Sequence, residues 1–169
     1  MNLYPTVIRN TIQVIATVNF SHDNNNFEEN EEKNTIDFAA ILTGRELQEQ
    51  DILDTALATF QSTNNRDDKN NNLKYSVKVT DTDKIKEIHI HTVKPPKKRE
   101  IVAELYRSET PSKEVITGKI VEGQIRSHEL KGPLSGKKTK DLIKKMEKGE
   151  IFVNISTEDK PKGKLLGKI

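Results

Sequence analysis

The chain has 169 residues, of which 33% are hydrophobic, 5% aromatic and 32% charged, with a net charge of +2. That length suits one domain with an appended segment, and that composition leaves a modest core with long polar loops and excludes a membrane protein. No apolar run approaches the roughly 18 residues of a spanning helix, and the absence of cysteine excludes disulfides, thiolate metal sites and a cysteine nucleophile.

The charge is segregated. Residues 1–72 carry 5 basic and 12 acidic side chains (−7), and residues 73–169 carry 23 and 14 (+9). Two solvated faces account for this, and so does head-to-tail attraction between copies or contact with a polyanion. The N-terminus, MNLYPTVIRNTIQVIATVNF, has no basic start and no continuous apolar stretch, so it does not read as a signal peptide. The cytoplasm is the default expectation, with assembly onto a surface left open.

Residues 10–20 alternate cleanly, which predicts a strand with Ile12, Val14, Ala16, Val18 and Phe20 on one face. SHDNNNFEENEEKN, 21–34, is acidic, Asn-rich and without apolar period, so it reads as a linker. Strands are predicted for TIDFAAILTG (35–44), TALATFQS (55–62), LKYSVKVT (73–80), KIKEIHIHTV (84–93) and EIVAELYRS (100–108). KEVITGKIVEGQI (113–125) reads as one more, with a break at Gly118 open, and RSHELKGPLSG (126–136) as a loop with at most a short helical turn. A helix is predicted for 139–148. Thr139 is its expected cap, Asp141 suits its first turn, Leu142, Ile143 and Met146 form its stripe, and Gly149 ends it. IFVNIS (151–156) and GKLLGKI (163–169) close the chain. Ile151, Val153, Ile155, Leu165 and Ile169 are expected inward, and Phe152, Asn154, Ser156, Lys164, Leu166 and Lys168 outward. Short strands at this spacing with a single helix indicate an all-β antiparallel sandwich or barrel over about 35–169, preceded by an extra strand on a tether.

Three constellations carry possible chemistry. In EIHIHTV the imidazoles of His89 and His91 share one strand face about 7 Å apart. That pair suits a Zn or Cu ion, with a third ligand still required; the plain alternative is a pair of outward polar residues. The strand 10–20 cannot leave its backbone and apolar face unpaired in water. It either folds back on its own domain or adds to a neighbour's sheet, and a head-to-tail contact of the second kind builds a filament. The lysine runs KPPKKRE and KKTKDLIKKMEK lack aromatic partners, so they read as solvated faces rather than a nucleic-acid surface. There is no G-x-S-x-G, P-loop, G-x-G-x-x-G or H-E-x-x-H.

IHIH, TGKI, LKGPLSGK, DLIKKMEKGEIFVNIST and PKGKLLGKI, with FAAILTG and ATF upstream, resemble the chordin-type CHRD domain. That family typically shows AHIH, G-x-I, GPL, G-x-x-YVNVHT and a closing P-x-GEIRGQ[IL]. The resemblance covers about 36–169 in the right order and lacks the proline pair that usually follows the LTG-like element. It implies a Greek-key β-sandwich, superoxide dismutase-like or immunoglobulin-like. In microbes the family's role is largely undefined, and in animals the domain is a module of an extracellular growth-factor antagonist. The family's histidine, glutamate and arginine fall on Ser156, Lys164 and Leu166, so of its polar cluster the resemblance leaves His89 and His91. Phe152 and Leu166 would instead begin a docking patch. The expectation from these readings is a non-enzymatic module at a cell or spore surface, without a cofactor, whose partner is itself or another surface protein. The alternatives are a Cu- or Zn-binding domain and a monomeric protein-binding module.

Overall fold

Alternating β-branched and polar residues become eight antiparallel strands in the computed structural model, which describes residues 34–44, 54–64, 73–94 and 98–169. They are β1 (Asn34–Thr43), β2 (Thr55–Asn64), β3 (Leu73–Thr82), β4 (Ile85–Lys94), β5 (Lys98–Arg107), β6 (Ile116–Ile125), β7 (Ile151–Thr157) and β8 (Leu165–Lys168), with α1 (Thr139–Glu147) before β7. The segment expected as a loop holds two single 3-10 turns, Ser127–Glu129 and Gly132–Leu134. The predicted strand 10–20 and the linker 21–33 lie outside the described residues.

The strands form one curled sheet in the order β5-β4-β7-β8-β1-β2-β3-β6. Its two halves, β5-β4-β7-β8 and β1-β2-β3-β6, meet in register only where Thr43 lies opposite Leu166. Curling around that narrow junction turns their apolar faces towards each other and gives the β-sandwich-like, Greek-key arrangement expected. The core takes alternate residues from most of the strands, among them Ala40, Leu42, Ala58, Phe60, Val77, Ile88, Ile90, Val102, Ile151, Val153, Ile155 and Leu165, as a period of two requires. Leu130, Leu134 and the helix stripe of Leu142, Ile143 and Met146 complete it.

The strand expected at 113–125 begins at Ile116. Val77 faces Val121 and Lys78 faces Lys119, so Ile120 is an extra residue on β6, a bulge that bends the strand without ending it. The helix is capped differently from expectation. Lys138 occupies the cap position, and the Asp141 carboxylate accepts the Lys138 N–H at 3.1 Å. Thr139 is drawn off by Ser127, whose Oγ accepts the Thr139 N–H at 3.0 Å. Gly149, at φ +65°, supplies the left-handed residue that stops the helix.

Candidate functional site: the histidine face and the outer edge of β6

Strand alternation puts Glu87, His89 and His91 on the face of β4 opposite Ile88 and Ile90, and the β4–β5 hairpin brings Glu104 beside His89. His89 is 7% exposed. Its Nδ1 is 3.7 Å from Glu87 Oε2 and its Nε2 is 3.5 Å from Glu104 Oε2. Arg107 bridges the same two carboxylates, at 2.8 Å to Glu87 and 3.0 Å to Glu104, and Lys131 reaches Glu104 at 3.5 Å. The Arg107 hydrogen bond, followed by the field of Lys131, holds the Glu104 carboxyl down at about 2.

His91 is different. Its ring stands 6.0 Å from that of His89, centroid to centroid, at 78°. In register it lies between Ile101 and Phe152. Both ring nitrogens are buried without a hydrogen-bond partner, and burial, then the fields of His89 and Arg99, push its pKa down to about 4. The imidazole is therefore a neutral base at ordinary pH. Among the described residues no group of three His, Cys, Asp or Glu side chains is arranged to hold a metal ion.

The face expected to point outward from β7 and β8 is largely covered. Asn154, Ser156 and Leu166 are buried, Leu166 at 2% exposure. Leu166 sits between Asn154 and Thr43 at the junction of the two halves, which leaves it nothing to offer a partner; Phe152 is half-buried. The expected Phe152–Leu166 docking patch is thus corrected. The exposed apolar pair in the sheet is instead Ile41 and Leu57, directly opposite one another at 60% and 40% exposure. Lys164, expected outward, is an anchor: its ammonium is 2.6 Å from Asp54 and 3.2 Å from Asp83. Ser156 Oγ donates to the Glu87 carbonyl at 3.4 Å.

The two sheet edges are finished unequally. Along β5 the Val102 carbonyl accepts the Lys131 N–H at 2.8 Å, and the Leu105 carbonyl accepts the Tyr75 hydroxyl at 3.0 Å. On β6, no backbone group makes a hydrogen bond beyond the ladder to β3, among the described residues. Its Ile116, Ile120 and Val121 are only partly buried against the core, and Val115 just before it is 64% exposed. Between the end of β6 and β5 opens a cavity of about 250 Å³, lined by Tyr75, Ala103, Glu104, Gln124, Ile125, Glu129 and Lys131.

The model of the CHRD domain family matches residues 38–169, the described sheet from β1 to the last strand. The chain belongs to the CHRD domain family. No curated protein and no solved structure matches it. In this CHRD domain, Glu87 was legible as a face-mate of His89 from the alternation alone. Glu104, Arg107 and Lys131 were not, because they arrive from another strand and a turn. Tyr75 and the outer edge of β6 carried no motif. Ile12, Val14, Ala16, Val18 and Phe20 lie outside the described residues. No described helix is long and apolar enough to cross a membrane.

Proposed function

We propose that this CHRD domain is a non-enzymatic structural module that polymerises by strand addition, the 10–20 segment of one copy pairing with β6 of the next, at a cell or spore surface. The observation that carries this reading is the outer edge of β6, which among the described residues makes no backbone hydrogen bond beyond its ladder to β3, with its partly buried isoleucines and valine. Such an edge recruits an extended segment through main-chain hydrogen bonds, while alternate side chains seal the core. The segment is apolar on alternate residues, and residues 21–33 between it and β1 are rich in Asn and Glu, as a tether requires. A contact of this head-to-tail kind does not close on itself and grows a filament. Deleting residues 1–21 should leave a folded monomer where the full chain forms fibres in electron micrographs and early-eluting species on a sizing column. Equal assembly by both proteins defeats the reading.

One observation favours a second function. Two buried, unpartnered nitrogens on His91 leave an uncompensated cost, and a Cu(II) or Zn(II) ion shared with His89 would satisfy one of them. Titration calorimetry of the full chain against the His89→Ala/His91→Ala variant decides this. Indistinguishable weak heats from the two proteins end the metal reading.

A further inference from the structure

Resting on the strand-addition reading, we propose that the cavity at the β5–β6 seam is the seat of the Phe20 ring of a neighbouring copy, with residues 16–20 running parallel beside Val121–Ile125. The cavity has an apolar floor of Ala103 and Ile125, both almost fully buried, and an aromatic wall in Tyr75. At about 250 Å³ it has room for an aromatic ring, since a hydrocarbon cavity of about 150 Å³ already admits benzene. A smaller side chain would leave part of it empty and lose contacts on one side. Among Ile12, Val14, Ala16, Val18 and Phe20, one residue is aromatic, and it would meet the Tyr75 wall in the edge-to-face manner such rings prefer. The charged rim makes no competing demand, because Glu104 is already held by Arg107 and Lys131.

The register follows from the bulge. Ile120 interrupts the edge of β6 and leaves Val121–Ile125 as its regular stretch, ending at the cavity. Five donor residues that finish on Phe20 are residues 16–20. Ala16, Val18 and Phe20 then fall beside Val121, Gly123 and Ile125, with the same alternation. At Gly123 the Tyr75 ring fills the place of a side chain, so a Cβ there would be 2.8 Å from the Tyr75 hydroxyl. The middle of the landing strip is thus surfaced by the Tyr75 ring, against which Val18 would pack. Residues 21–33 can extend about 45 Å, which lets the segment leave its own domain.

The absence of native cysteine allows a clean test in the full chain. Protein carrying Ser21→Cys is mixed with protein carrying Lys131→Cys under mild oxidation, beside a control mixture of Thr11→Cys and Lys131→Cys. Ser21 neighbours the anchor and Thr11 the far end of the segment. The first mixture should give a disulfide-linked two-chain species and the second far less. Phe20→Ala should raise the concentration of half-assembly about tenfold or more, as truncation of a buried aromatic anchor does. Equal cross-linking in both mixtures, or assembly unmoved by Phe20→Ala, overturns the anchor while the deletion of residues 1–21 still reports on strand addition by itself. A cross-link confined within single chains carrying both Ser21→Cys and Lys131→Cys overturns the neighbouring copy as occupant. Assembly undiminished by the deletion overturns this proposal together with the reading beneath it.

Discussion

His91 and Glu104 titrate in separate windows, and the signs differ from what a surface histidine would give. Folding lowers His91 from 6.5 to about 4, so between those values the unfolded chain holds the extra proton. Stability is full above about 6.5 and is lost as pH falls towards 4. Glu104 is lowered from 4.5 to about 2, so its contribution is present above 4.5 and is lost only below that. A urea midpoint measured at about pH 7 and about pH 4.5 should drop more for the native chain than for His91→Leu, because the leucine has no proton to gain. A second residue-scale expectation concerns Gly123. Its substitution by alanine sets a methyl 2.8–3.1 Å from three atoms of Tyr75. That displaces the ring whose hydroxyl reaches β5, at a cost of about 1–3 kcal/mol, the range of overpacking, readable by chemical denaturation. None of this was visible in the sequence. Tyr75 and Gly123 are 48 positions apart and meet only through the β3–β6 register.

The strands were legible because their period of two is intrinsic to the chain, and the inward residues of β7, Ile151, Val153 and Ile155, are all fully buried. Alternation separates two faces but is silent on whether the second face is itself covered. Leu166, Asn154 and Ser156 were therefore read as exposed and are not. The neighbours of His89 were hidden for another reason: the β4–β5 pairing shifts register between Ile88 and His89 and again between Ile90 and His91, and no local pattern announces such shifts. Thr139 has the chemistry of a cap, yet Ser127 competes for it and Asp141 supplies the cap bond. Lys164 ties the entry of β8 to Asp54, just before β2, and to Asp83, in the β3–β4 turn. Asp83 is held below its ordinary carboxylate value, chiefly by its hydrogen bond to Lys164. Replacing Lys164 with methionine leaves the largely buried Asp54 and the partly exposed Asp83 without the cation they share. We expect a loss of about 1–3 kcal/mol, seen as a lower denaturant midpoint with an unchanged slope.

On the scale of the whole molecule, the two halves of the sheet are bound by a shared core and by very little backbone. One margin is tied by the Thr43–Leu166 pairing and the other by the Tyr75 hydroxyl on the Leu105 carbonyl. Amide protons on such a body should not all be released by one event. Opening between the halves exposes the core while each half keeps its internal ladders, and a cooperative unit of that kind has its own free energy. Hydrogen exchange in mild denaturant is expected to sort the amides into two groups, β1, β2, β3 and β6 in one and β4, β5, β7 and β8 in the other. A single common exchange energy would mean that the core locks the halves into one unit. If force were applied along an assembled fibre of the proposed kind, it would enter at β6 and leave through the tether at β1, two strands of the same half, so the β6-β3-β2-β1 ladders would carry the load while the other half hangs beside them, unloaded.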